Sequence, residues 1–249
     1  MDCPVVLITG GSRGIGAATA LAAARAGFAV AISYQQDRGA AQSVVQAIEA
    51  LGGQAMALGC DVSQEDSVLG LFGAVDTAWG RLDALVNNAG VVDVACRVDA
   101  MTVARLRRMF DTNVLGSFLC AREAVPRMST RQGGRGGSIV NVSSAAARLG
   151  SPGQYVDYAA SKGAIDTFTL GLAKEVAAEG IRVNAVRPGI IDTNIHASGG
   201  EPDRAQRLGA QVPLQRPGSA EEVAQSIVWL LGTQSSYCTG ALLDVSGGR

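Results

Sequence analysis

Tyr158 and Lys162 open and close the run Tyr158-Ala159-Ala160-Ser161-Lys162, which sets a phenol and an ammonium one helical turn apart. The chain has only two lysines, Lys162 and Lys174, so an ammonium at this place looks chosen. A free phenol titrates at about 10, too high for an effective base near neutrality, and a neighbouring positive charge favours its phenolate. Far upstream, Thr9-Gly10-Gly11-Ser12-Arg13-Gly14-Ile15-Gly16 follows an apolar run and leads into the Ala-rich stretch from Ala17 to Ala26. Glycines allow a tight reversal and close backbone approach, and the helix start offers unpaired N–H groups to a pyrophosphate. The spacing lacks the Gly-Lys-Ser/Thr of a nucleoside-triphosphatase loop. Together the two motifs point to proton transfer beside a bound dinucleotide.

The intervening pattern supplies the elements that must position them. Short apolar runs at 4–9, 29–34, 54–60, 82–87, 137–142, 181–187 and 241–245 alternate with helical stretches at 14–27, 38–52, 64–80, 102–130, 155–179 and 219–232. This alternation predicts an α/β fold, a doubly wound parallel sheet of seven strands with helices on both faces. No linker divides the chain, so a single domain over 1–249 is expected. On the helix after the fifth strand, Tyr158, Lys162, Ile165, Leu172 and Val176 share one face, a buried stripe. The stretch 190–219, with Gly199-Gly200, Pro202, Pro213 and Pro217, is expected to be a lid, with a short helix near 201–210. It follows the sixth strand and so would cover the ligand crevice beyond the strand ends.

Composition narrows the function classes. A net charge of −1 gives no reason to expect a nucleic acid or an anionic membrane as partner. There is no long uninterrupted apolar run, and no leader precedes the first strand, so a cytoplasmic protein is expected. Cys3, Cys60, Cys96, Cys120 and Cys238 are odd in number and scattered, and read as free thiols in a reducing compartment. The one histidine, His196, cannot complete a zinc set and is given no catalytic role, so no metal is expected.

The ordered motifs carry a resemblance that covers nearly the whole chain. Thr9-Gly10 with Gly14-Ile15-Gly16, Asn87-Asn88-Ala89-Gly90, Asn113, Ser143-Ser144, Tyr158 with Lys162, and Pro188-Gly189 with Thr193 resemble a simple, single-domain short-chain dehydrogenase/reductase. The resemblance implies hydride exchange between a nicotinamide and a carbonyl or secondary alcohol, with Tyr158 moving the proton, Lys162 tuning it and reaching the nicotinamide ribose, and Asn113 supporting a relay. It implies cofactor contacts from Gly10, Ser12, Arg13, Gly14, Ile15 and Gly16, from Asp61 and Val62 at the adenine, and from Asn88, Ala89 and Gly90 at the adenosine ribose. Pro188, Gly189 and Ile191 would meet the carboxamide and Thr193 the pyrophosphate. Asn87 is expected to support the sheet. The family's serine spacing falls on Ala145, so one residue is inserted within 150–157; Ser144 aligns with the family serine and Ser143 is the alternative.

The second strand ends Ile32-Ser33-Tyr34-Gln35-Gln36, with no acid before Asp37 to hold a ribose 2′-hydroxyl. Arg13, helped by Arg38, is placed to meet a 2′-phosphate, and Tyr34 borders the same site. NADP(H) is therefore expected, with NAD(H) the alternative if Asp37 swings in. Carrier-protein reductases and sugar or polyol dehydrogenases share the pattern. Arg135 would suit an acidic carrier, while Glu179 stands where such reductases tend to be basic, which favours a small free substrate. A cofactor-binding sensor without turnover is the rival from another class. Tyr155 lacks a lysine one turn on and is expected on the substrate side. Family members commonly form homotetramers or homodimers through the helices at 102–130 and 155–179.

Overall fold

A computed structural model describes residues 3–193, 199–201 and 203–249. Seven parallel strands lie in the order β3-β2-β1-β4-β5-β6-β7. They are β1 (Val5–Ile8), β2 (Ala29–Tyr34), β3 (Ala55–Gly59), β4 (Ala84–Asn87), β5 (Gly137–Val142), β6 (Ile181–Pro188) and β7 (Leu242–Val245). Strands such as Val5-Val6-Leu7-Ile8 are apolar on both faces because helices cover both. Alternation then sorts the core: Val5 and Leu7 pack towards one helical layer, Val6 and Ile8 towards the other.

The first layer holds α3 (Glu65–Trp79), α5 (Gly116–Met128) and α7 (Val156–Val176), with Phe72, Cys120 and Val176 in its core. The second holds α1 (Gly14–Arg25), α2 (Arg38–Ala50) and, near the C-terminus, α9 (Ala220–Leu231), with Ala20, Ile48 and Ile227 facing the sheet. A Ser219/Glu222 capping box starts α9. Strand order reverses between β1 and β4, so the chain diverges there and leaves a crevice beyond the carboxyl ends.

The stretch expected as one helix over 102–130 is interrupted. Thr102 caps α4 (Val103–Phe110), a single π turn spans Asp111–Leu115, and α5 continues from Gly116. One extra residue in the turn leaves the apolar pattern almost unchanged, which hid it from the periodicity. A further short helix, α6 (Ala146–Leu149), stands between β5 and α7, and α8 (Arg204–Gly209) falls within the expected lid. The ends of that lid are tied together: Gly218 N–H donates to Ile190 O at 2.9 Å and Asp192 N–H to Gly218 O at 2.9 Å. His196 and Pro202 lie outside the described residues.

Candidate active site

The glycine turn is fixed from below by the end of β4. The buried Thr9 hydroxyl accepts the backbone N–H groups of Asn88 and Ala89, each at 3.0 Å. The Asn88 amide in return donates to Thr9 O and Gly10 O, each at 2.9 Å. Gly10 sits at φ +64°, and a Cβ there would meet Ala89 Cα at 3.0 Å. A Cβ on Gly16 would lie 2.4 Å from Gly10 O, so only glycine lets α1 start this close to β1. Arg13 gives α1 no side-chain cap, so the first N–H groups of that helix are left for a ligand.

Above the turn lies an open hollow of about 1450 Å³. Gly10, Ser12, Arg13, Gly14, Ile15, Tyr34, Asp61, Val62, Asn88, Ala89 and Gly90 all line it. Gly16 does not; its task is the packing just described. Arg38 is also absent from the wall, while Asp37 is present with its carboxylate accepting Ala40 N–H at 2.8 Å as the cap of α2. Sequence reasoning passed over Ser33, whose hydroxyl accepts Gly10 N–H at 3.2 Å, and Cys60 and Thr112 on the same wall. Their proximity in sequence to residues already singled out was the available signal.

A second hollow of about 1070 Å³ adjoins the first through Ile15, Asn88, Gly90, Val92 and Thr193. Ser144, Tyr158, Lys162, Pro188, Gly189 and Ile191 line it, with Ala145 from the turn after β5 and Ala146 and Leu149 from α6. The two serines at the end of β5 point to different tasks. The Ser143 hydroxyl, 2% exposed, donates to Lys162 O at 3.2 Å and ties β5 to α7. Ser144 is half-buried, lines the hollow as Ser143 also does, and reaches the Tyr158 phenol.

Lys162 is 5% exposed, with Nζ donating to Val142 O at 2.8 Å and standing 5.6 Å from the centre of the Tyr158 ring. Burial pulls its pKa down to about 8, against the opposing pull of Asp166 one turn further along α7. Asp166 is itself paired with Arg187 from β6 at 2.8 Å. The Tyr158 phenol moves opposite to expectation. Burial raises it above its ordinary value, and the Ser144 hydroxyl only partly opposes this. Desolvation of the buried phenolate is the larger cause, and Lys162 Nζ directs its hydrogen bond to Val142 O.

Asn113 sits in the π turn, 1% exposed, and lines neither hollow. Its Oδ1 accepts Val91 N–H at 2.7 Å and its Nδ2 donates to Val91 O at 3.0 Å and to Ser161 Oγ at 3.1 Å. It thus pairs with the backbone beside Gly90, where a Cβ would lie 3.4 Å from Asn113 Oδ1 and 3.5 Å from Lys162 Nζ. Asn87 donates to Asn141 Oδ1 at 2.9 Å and to Ser117 O at 3.3 Å, joining β4 to β5 and α5. Tyr155 lines the second hollow, its hydroxyl donating to Glu201 Oε1 at 3.0 Å.

The arrangement is a pair of adjoining hollows with a buried phenol, hydroxyl and amine at one end. Comparison with known proteins agrees. Residues 10–249 match the family model described as enoyl-(acyl carrier protein) reductase. The chain is 58% identical over 245 residues to the uncharacterized oxidoreductase YgfF of Escherichia coli (strain K12), covering 98% of this chain and 99% of that protein. It is 39% identical over 254 residues to a 3-oxoacyl-[acyl-carrier-protein] reductase of Synechocystis sp. (strain ATCC 27184 / PCC 6803 / Kazusa), covering 100% and 97%. A short chain dehydrogenase of Burkholderia cenocepacia J2315, solved in complex with NADP, superposes with a TM-score of 0.90 at 34% identity over 98% of this chain and 97% of that one. Family model, relatives and fold converge on one conclusion: the chain belongs to the short-chain dehydrogenase/reductase family and is an NAD(P)-dependent oxidoreductase of CH–OH and C=O groups.

Proposed function

We propose that this chain is an NADP(H)-dependent oxidoreductase that interconverts a small carbonyl compound and its secondary alcohol, with Tyr158 as proton donor and acceptor. The carrying observation is that Ser144, Tyr158 and Lys162 line one hollow that opens into the glycine-turn hollow. The uncapped start of α1 and the close-packed glycines fit a pyrophosphate, which Gly14, Ile15 and Thr193 would hold. Pro188, Gly189 and Ile191 would border the carboxamide. The cofactor supplies or accepts the hydride. Ser144 holds the substrate oxygen and Tyr158, neutral at physiological pH, gives that oxygen a proton during reduction. Lys162, charged below about 8, favours the phenolate left behind. Asn113 positions Gly90 and Val91 beside Lys162 and supports the proton relay.

NADP(H) rather than NAD(H) is supported by three features. Asp37 is engaged as a helix cap, no acid precedes it after β2, and exposed Arg13 borders the hollow. The Burkholderia relative solved with NADP agrees. One catalytic domain over 1–249, its lid at 190–219, would work in the cytoplasm, where five unpaired thiols are compatible with a reducing medium. No helix of the described residues is long and apolar enough to cross a membrane. Phe110, Leu115 and Phe118 on one helical stretch and Leu170 on α7 expose apolar surface that suits a homotetramer or homodimer.

The test follows NADPH absorbance with a panel of ketones, aldehydes and acyl thioesters. Consumption with small ketones or aldehydes is expected; tight NADPH binding with no consumption by any of them would make the chain a sensor. Thioester turnover alone would favour the carrier-protein reductase reading that the Synechocystis relative suggests. Titration of Arg13→Ala should weaken NADPH by about tenfold while leaving NADH within about twofold; equal losses remove the 2′-phosphate argument.

A further inference from the structure

The charged side chains on the substrate-side hollow carry one sign. Among the described residues that line it, the charged side chains are Lys162, Arg204 and Arg249, and no aspartate or glutamate is among them. Arg204 is the built feature of the far wall. Its side chain is only 12% exposed, its guanidinium lies 5.1 Å from the centre of the Tyr155 ring, and NH2 donates to Gln154 Oε1 at 2.8 Å. Glu201, behind the wall, accepts from Arg204 NH1 at 3.0 Å. That same carboxylate also takes the Tyr155 hydroxyl and pairs with Arg207. Burial works against its charge, yet the Tyr155 hydrogen bond and both arginines outweigh burial and hold its pKa below the ordinary value. One carboxylate therefore serves two guanidinium groups, and Arg207 is 57% exposed and screened by solvent while Arg204 is not.

We infer that Arg204 receives an anionic group of the substrate, so that the compound turned over is an oxo acid whose carboxylate meets Arg204 while its carbonyl meets Ser144 and Tyr158. A guanidinium pre-oriented by stacking and by two acceptors loses little freedom on meeting a carboxylate. The surrounding wall of Ala145, Ala146, Leu149 and Ile190 suits a short apolar segment between the two polar ends. This deepens the reductase reading and rests on it for the reacting end alone.

The experiment pairs short oxo acids with their methyl esters, using the full chain and NADPH. In parallel, calorimetry measures the matching hydroxy acids and hydroxy esters against protein saturated with NADP⁺. The best acid should exceed its ester by about tenfold in kcat/KM, through KM, and bind more tightly in calorimetry. Arg204→Gln should abolish that preference, and Arg204→Lys, which keeps the charge and loses the fork, should retain part of it. Acid and ester losing equally in Arg204→Gln would reduce Arg204 to a clasp between α8 and the loop before α7, and overturn the inference. Turnover of esters with no acid preference leaves the reductase reading standing and the inference fallen. Tight acid binding that depends on Arg204, with no turnover of any pair, does the reverse.

Discussion

Tyr155 and Tyr158 open onto the same hollow from neighbouring positions, and burial raises both phenols, yet their hydroxyls are surrounded by opposite chemistry. Tyr155 donates its proton to Glu201 and lies under a guanidinium. Tyr158 faces the Ser144 hydroxyl with the Lys162 ammonium beside its ring. A phenol whose proton is committed to a carboxylate is tied to that partner and serves as a structural donor. One that meets a hydroxyl and an amine can lose a proton and have the resulting charge compensated. Neighbours drawn from distant segments, rather than residue type or depth, give the two tyrosines their different surroundings.

The contrast predicts a large asymmetry. Tyr158→Phe should lower kcat about a thousandfold and Tyr155→Phe by no more than about fivefold, measured as steady-state NADPH oxidation. Similar losses in both would erase the distinction. Next in size, Ser144→Ala should cost about a hundredfold in kcat, whereas Ser143→Ala should instead cost about 1 kcal/mol of stability in urea unfolding, because its hydroxyl joins β5 to α7. The reverse ranking would move the substrate oxygen to Ser143.

A smaller effect follows from Lys162. Its folded pKa, near 8, lies below the usual 10.5, so carbonyl reduction should fall as pH rises past about 8, by up to about tenfold per pH unit. Lys162→Arg, which keeps its charge, should shift that limb upward. Stability runs the other way. The folded state binds fewer protons than the unfolded one between about 8 and 10.5, so the cost of burying the charged Lys162 is full below about 8 and fades as pH rises through that window. Lys162→Met should therefore be more stable than wild type at pH 7, with the gain shrinking towards pH 10.5; thermal melts across that range would expose a constant gain. The smallest change belongs to the architectural side: Glu201→Gln should cost less than about 1 kcal/mol, since the cluster is partly solvated.

Much of the fold was legible from local pattern. The runs expected at 29–34 and 137–142 coincide with β2 and β5, since strands buried on both faces read as short runs rich in Val, Ile and Ala with few charges. The glycine turn was legible because φ and close approach demand glycine at particular places. The π turn was not, since a single added residue barely disturbs a helical stripe, nor was α6, too short to show a period. The direction of the Tyr158 shift escaped for a different reason. Desolvation depends on what the chain brings over the phenol from far away, and spacing along α7 reveals only the lysine. Tyr155 was expected on the substrate side and lines the second hollow, but its partner Glu201 belongs to the irregular stretch 190–219, where pattern carries little information.

The hydrogen bonds that join Ile190 and Asp192 to Gly218 have an evolutionary consequence. The polypeptide departs from the sheet and comes back at practically one place, so the excursion can be lengthened, shortened or exchanged without pulling on β6. Grafting this excursion between homologues should therefore leave β6 and the wall formed by Ser144, Tyr158 and Lys162 unchanged.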